Sequence, residues 1–278
     1  WVINGEKWFS SNARFADFFI VMCVSNAEGS PYQRQSMIIV PADTPGIEII
    51  RNVGFGAEHV PTHAYIRYTN VRVPADHLLG GEGQAFVVAQ TRLGGGRIHH
   101  AMRTIGHAKA LFDMTCQRVI SRETKGRNLS QLQMVQEKIA DSWIELEQFR
   151  LLVLRTAWLI DKPHDYKLVR KDIAAVKAAM PKLLHDIAAR ALHLHGSIGV
   201  SSEMPFAKGV IDSFFLGLAD GPTEVHKVTV AREVLGGYDI FKEAKLRRFV
   251  ARQPGSERRP RLLQRLYPYL PRVQSQSP

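Results

Sequence analysis

The chain has 278 residues, 45% of them hydrophobic, with a formal net charge of +11. That length allows one or two buried cores at roughly 150 residues per domain. No apolar run approaches the ~20 residues that a membrane-spanning helix needs, and no basic-then-apolar leader argues for secretion. The expected compartment is therefore the cytoplasm or an organelle matrix. The charge is uneven: 242–278 hold ten Lys or Arg against two Glu, a net of +8, which leaves +3 for the other 241 residues.

From the start, residues 1–75 read as strands. Trp1 lies inside one, so the chain is expected to begin part-way through a larger design. "DFFIVMCV" and "SMIIVPA" are short runs rich in β-branched and aromatic residues, and "AYIRYTNVRVP" alternates apolar with polar positions. Gly29-Ser30-Pro31, Pro45-Gly46, Gly54, Gly56 and Pro61 punctuate them, which predicts a small barrel or sandwich. Cys23 and Cys116 sit in apolar surroundings and read as reduced core thiols.

After "LLGGEGQ" the period changes. Ile98, Met102, Ile105, Phe112, Cys116 and Val119 keep helical spacing. A second series runs from Leu132 to Ile160 and a third from Val169 to Leu194, with Pro181 expected to kink or break it. A short fourth helix is expected from about Pro222 to Leu235, with its proline in the first turn. Brief loops, such as 162–166, join them. The predicted class is α+β: a β part, 1–75, then an antiparallel four-helix bundle, 76–241, then a basic, poorly ordered tail, 242–278.

The chemistry-bearing motifs are few. There is no phosphate-cradling GxxxxGK[ST], no strand-borne GxGxxG, no Cys cluster and no HExxH. The pairs His99-His100 and His193/His195 do not share helix faces, so ordinary packing is favoured and no metal site is expected. Asp220 in "ADGPTE" admits two readings. An acidic residue before Gly-Pro, with Glu224 in the first turn, is what a helix N-terminus wants. The same carboxylate is also a candidate catalytic base.

Taken together, the motifs resemble the acyl-CoA dehydrogenase family. "WVINGEKWFSSNARFADFFIV" resembles its flavin-side β segment, "SRETKGRNLSQLQ" resembles "R.TFG..L…Q", "LHGSIGV" resembles "Q..GG.G", and "ADGPTEVHK" stands where most members have "EGT.EI". The similarity covers residues 1 to about 237 in order, and is strongest to a subgroup carrying "GRIHH" and "ADGP.EVH". The resemblance implies a chain lacking the family's N-terminal helical domain. It implies FAD as cofactor, an acyl-CoA substrate oxidised to the trans-2-enoyl thioester, an electron-transfer flavoprotein as acceptor, and a homodimer or homotetramer.

Residue by residue, the resemblance makes Asp220 the base that takes the α-proton while a hydride goes to flavin N5, and its own amide a donor to the thioester oxygen. Gly221 lets the backbone approach the thioester. Gly96 stands where some members carry the base instead, and Arg97 matches an arginine beside the substrate. Phe9 stands where a Trp usually lies against the flavin, and Ser11 where a Thr hydroxyl reaches N5. Arg122 and Thr124 match the pair that holds the FAD pyrophosphate of a neighbouring subunit, and Gln133 matches an adenine-side glutamine. His193 and Gly196 fall in the glycine-pair segment, and Pro222, Thr223 and Glu224 where the last helix meets the adenosine diphosphate. The departures are Asp for Glu at the base, Lys125 for Phe, His193 for Gln, Ser197 for Gly, and "DSFFLG" for an arginine-rich run. An alternative is a flavin-bearing non-catalytic protein that binds nucleic acid through the basic tail, or an inactive fragment.

Overall fold

The structure, a computed structural model, describes residues 1–55, 60–162 and 168–238. Gly56, most of the expected loop 162–166 and the basic run 242–278 therefore lie outside the described residues, and so does any role for that run. The chain divides into two compact units, Trp1–Lys227 and Val228–Pro278. All the strands, and every helix but the last, lie within the first unit.

Two three-stranded antiparallel sheets open the chain. One orders β1 (Val2–Ser11), β5 (His63–Arg72) and β4 (Ile47–Val53) as β1-β5-β4. The other orders β2 (Phe18–Val24), β3 (Gln35–Pro41) and β6 (Leu78–Leu79) as β2-β3-β6. The alternation expected of β5 is present: Ala64, Ile66 and Tyr68 turn inward while Arg67 faces solvent. Ile3, Val21, Ile38, Val40 and Val71 join them in one core fed by both sheets.

The register of β1 against β5 shifts between Lys7 and Ser10, so Trp8 and Phe9 face a single partner position. Such a bulge bends the strand and re-aims a side chain. Here it carries Phe9 at φ 57, unusual for a bulky residue, and leaves that residue 52% exposed.

Five helices follow: α1 (Ala85–Ser121), α2 (Gln133–Asp161), α3 (Arg170–His195), α4 (Phe206–Leu218) and α5 (Thr223–Gly236), the last running past Lys227 into the second unit. A two-stranded ribbon, β7 (Glu123–Thr124) and β8 (Arg127–Asn128), separates α1 from α2. Its turn places Lys125 and Gly126 both at positive φ, as a two-residue hairpin requires. Ala101, Leu111, Leu146, Phe149, Val153, Val176, Met180, Leu184, Ile187, Phe206 and Leu216 put α1 to α4 around one apolar core.

Of the kink or break expected at Pro181 the break is absent, and the helix count is corrected. α3 is continuous across Pro181, with no break; the proline removes one N–H but its neighbours keep the helix, and its ring lies against the α4 backbone near Gly217. α4 is a further helix that the reading of three long helices and one short one omits. Its sequence, FAKGVIDSFFLGL, has apolar residues on more than one face, so no single stripe announces it. Phe206 and Leu216 anchor it, and full burial of such a side chain stabilises by roughly 1.5–3 kcal/mol. Among the described residues no helix is long and apolar enough to cross a membrane. Cys23 and Cys116 are free, partly buried thiols whose pKa burial pushes up.

Candidate active site

α4 ends at Leu218 and the chain reverses through Ala219, Asp220, Gly221 and Pro222 into α5. Asp220 is left-handed, at φ 56, and Gly221 follows at φ 106. A left-handed residue other than glycine costs on the order of 1–2 kcal/mol, which Asp tolerates better than most. Gly221 leaves room as well as freedom, since a Cβ there would lie 2.9 Å from His226 Nε2.

The last carbonyls of a helix have no partner within it and must find donors elsewhere. Side chains from three other helices hold these carbonyls and those of the turn that follows. Lys177 Nζ on α3 donates to the carbonyls of Leu216 and, at 3.4 Å, Gly221. Thr223 Oγ1 donates to Gly217 O at 3.3 Å. Arg97 on α1 donates through Nε and Nη2 to Asp220 O, both at 3.3 Å, and His226 Nε2 lies 3.3 Å from the same oxygen. Cationic groups at a helix C-terminus also meet the negative end of its dipole.

These donors hold the backbone of the turn and leave the Asp220 carboxylate for another contact. Its Oδ2 lies 3.0 Å from His100 Nε2, and Arg103 Nη2 donates to His100 Nδ1 at 2.9 Å. Among the described residues no backbone N–H of α5 donates to the carboxylate, so it does not cap that helix.

Burial pushes the pKa of Lys177, Arg97, His100 and His226 down, and the nearby Asp220 charge opposes the shift in each. Lys177 is 1% exposed. Because its ammonium titrates lower in the folded chain than its ordinary 10.5, the unfolded chain binds more protons across that alkaline window. Its contribution to stability therefore rises with pH there. The difference in unfolding free energy between wild type and Lys177→Met should grow in favour of wild type from pH 8 towards pH 10 in urea titrations. A flat difference would mean that the ammonium sits in a water-like setting.

The structure brings Asp220, Gly221, Arg97 and, next to it, Gly96 to one end of the helices; a Cβ built on Gly96 meets no atom within 4 Å. Pro222, Thr223 and Glu224 continue directly from this turn, with Pro222 and Glu224 exposed. A second group lies elsewhere. Arg122 caps the far end of α1, twenty-five residues beyond Arg97, or about 37 Å at 1.5 Å per residue. Thr124 follows in β7 and Gln133 opens α2. Arg118, one turn before Arg122, donates to His195 O at 3.5 Å, which puts His193 and Gly196, at the end of α3, at this same end. One chain therefore does not unite Arg122 with Asp220.

Phe9 stacks on Phe55 at 5.3 Å, and Phe55 meets Phe215 of α4 at 4.8 Å, so the bulge faces the helix that leads to Asp220. Ser11 is exposed, opposite His63 in the ladder.

Four residues of the site escape the sequence reading: His100, Arg103, Lys177 and His226. Arg97, His100 and Arg103 stand at steps of three on one helix, which share a face. That is a signal which the comparison of His99 with His100 conceals. Lys177 falls beside Val176 on the buried stripe of α3, and a lysine there needs acceptors.

Comparison with known proteins adds to this geometry. The sequence profile of the acyl-CoA dehydrogenase middle domain matches residues 1–71, and that of the acyl-CoA dehydrogenase C-terminal domain matches residues 83–235. A Mycobacterium tuberculosis protein named as a probable acyl-CoA dehydrogenase, FadE2, is 43% identical over 240 residues, covering 84% of this chain and 58% of that protein. Acyl-CoA dehydrogenase family member 11 of Gallus gallus is 40% identical over 238 residues, 84% of this chain and 30% of its own. The crystal structure of an acyl-CoA dehydrogenase from Geobacillus kaustophilus superposes with a TM-score of 0.77 at 28% identity, over 84% of this chain and 61% of that one.

Proposed function

The chain belongs to the acyl-CoA dehydrogenase family, and on that premise we propose that the protein oxidises the Cα–Cβ bond of an acyl-CoA thioester, with Asp220 as the base. The observation that carries this reading is the Asp220 turn itself. Its backbone is held by Arg97, Lys177 and His226, while the carboxylate is left to a single side-chain partner. A carboxylate with only a structural role would be expected to cap α5.

The residues fit FAD. Phe9 offers an exposed ring, and Ser11 Oγ has no partner among the described residues. Arg122 forms no ion pair among them, Arg118 Nε is buried without an acceptor, and a Cβ on Gly196 meets no atom within 4 Å. Phe9 and Ser11 would hold the isoalloxazine side; Arg122, Thr124, Gln133, His193, Gly196, Pro222, Thr223 and Glu224 would hold the pyrophosphate and adenosine. Arginine gives phosphate two charge-assisted bonds in one plane. When bound, FAD supplies the acceptor for the hydride leaving the substrate β-carbon.

Asp220 takes the proton from the α-carbon. That proton is weakly acidic until the thioester oxygen is polarised, so fixed donors must stand where enolate charge develops. The Asp220 backbone N–H supplies one, and the cations Arg97 and Lys177 give the surroundings an excess of positive charge. Gly221, without a side chain, admits the thioester close to the backbone.

The separation of Arg122 from Asp220 supports two copies completing each other's sites, as a homodimer or homotetramer. Trp143 and Trp158, 57% and 56% exposed on α2, supply apolar surface for such pairing. The two sheets are read as the family's β barrel within 1–75 and α1 to α4, which share one apolar core, as its four-helix bundle, with an electron-transfer flavoprotein as acceptor. The chain spans 58% and 30% of the lengths of the two relatives named above. Accordingly the test uses the full natural chain: incubated with acyl-CoAs and an artificial one-electron acceptor, it should yield thioesters lighter by two hydrogens. Recovery of unchanged acyl-CoA across chain lengths would overturn the reading.

A further inference from the structure

The Asp220 carboxylate has two oxygens, and only one of them is held. Oδ2 meets His100 Nε2 at 3.0 Å, while Oδ1 has no partner among the described residues. The histidine is itself constrained. A guanidinium N–H can only donate, so Arg103 Nη2 at 2.9 Å requires a bare, accepting Nδ1. The imidazole proton then stands on Nε2, aimed at the carboxylate. Burial pushes the His100 pKa down, against the pull of the Asp220 charge, in the direction that favours this singly protonated ring.

We propose that His100, oriented by Arg103, is a positioning residue for the base: it occupies Oδ2 and leaves Oδ1 as the oxygen presented to the substrate. The proposal rests on reading Asp220 as the base. It supplies a reason for the sequence Arg97-x-x-His100-x-x-Arg103, in which one face of α1 serves the turn three times. Arg97 fixes the backbone of Asp220, His100 fixes its side chain, and Arg103 fixes His100.

The need for such a device follows from the shortness of Asp. The held backbone fixes where the side chain starts, and what remains free is rotation about its Cα–Cβ and Cβ–Cγ bonds. Proton abstraction depends on alignment of the reacting atoms, and misplacement by about 1 Å can cost 10²-fold. The contact also survives the reaction. When Oδ1 gains the α-proton, whose bonding pair stays with the acyl group, Oδ2 remains an acceptor for the His100 N–H. His100 is a quarter exposed at its side chain and Arg103 is exposed, so neither serves as core filling.

The experiment has two arms on the full FAD-loaded chain. Histidine is labelled with ¹⁵N, and His100→Gln assigns the His100 signals. The expected wild-type state is Nε2 protonated with Nδ1 bare, and Arg103→Met should populate the other tautomer. In the kinetic arm, His100→Phe should slow flavin reduction by acyl-CoA about 30-fold, roughly 2 kcal/mol at 1.36 kcal/mol per decade, with KM little changed. His100→Gln, which retains a donor, should recover most of that loss. If His100→Phe does not fold, Arg103→Met, altered on the exposed face, carries the kinetic test in its place.

A wild-type His100 protonated on Nδ1, or variants reducing flavin at the wild-type rate, would overturn the proposal. The premise fails separately: if no acyl-CoA reduces the wild-type flavin, Asp220 is not shown to be a base, while the tautomer still decides whether Arg103 and His100 hold its carboxylate.

Discussion

Asp220→Asn is expected to slow flavin reduction by acyl-CoA about 10³-fold, the middle of the range that a positioned general base contributes. The thermal midpoint and bound FAD should stay at wild-type levels. Asn is the substitution that isolates the chemistry: it tolerates the left-handed backbone at φ 56 and keeps an acceptor oxygen for His100. Arg97 and His226 bond to the backbone oxygen, which the change does not touch. Rapid-mixing absorbance of flavin against acyl-CoA reads the rate directly. Reduction at an undiminished rate would remove Asp220 from the mechanism and return it to the role of a turn residue.

Gly199→Ala should produce a large loss of stability. A Cβ at this position would stand 2.2 Å from the carbonyl oxygen of Leu192 and 3.1 Å from His195 Cβ. Leu192 O belongs to the backbone of α3, which cannot retreat without disturbing the adjoining turn, Gly196–Val200. Overpacking of this kind costs typically 1–3 kcal/mol and occasionally more; the backbone clash places this case at about 3 kcal/mol. For a unit of this size that is a fall in thermal midpoint of roughly 10 °C. Gly196→Ala is the contrast in mechanism: its Cβ meets no atom within 4 Å, so only the backbone at φ 68 and ψ −141, a conformation that favours glycine, opposes it, at roughly 1–3 kcal/mol. A Gly199→Ala midpoint equal to that of the wild type would contradict the packing argument.

The difference between these glycines also shows what the sequence makes legible. "HGSIGV" marks a place where glycine matters, but the reasons differ: open space over Gly196 and a carbonyl over Gly199. Alternation announces β5, and apolar stripes announce α1 to α3. β4, IEIIRNV, does not alternate cleanly, and its short run between Gly46 and Gly54 reads as punctuation. α4 is missed for the opposite reason, an excess of apolar residues.

At the site, Asp220, Gly221 and Arg97 are legible because their motifs resemble a family pattern. Lys177 is not. It meets the turn across 44 residues of chain, a pairing that only the packing of α3 on α4 creates. His100 lies three residues from Arg97, yet its partner is 120 residues away, and a reading of neighbouring histidines cannot see that carboxylate.

The central claim, a flavin enzyme acting on acyl-CoA thioesters, is tested most directly by the anaerobic visible spectrum of the full chain before and after a panel of acyl-CoAs. The expected result is an oxidised flavin band that at least one acyl-CoA bleaches, and that Asp220→Asn protects. A protein that stays colourless when FAD is supplied, or a flavin band that none of the panel alters, would contradict it.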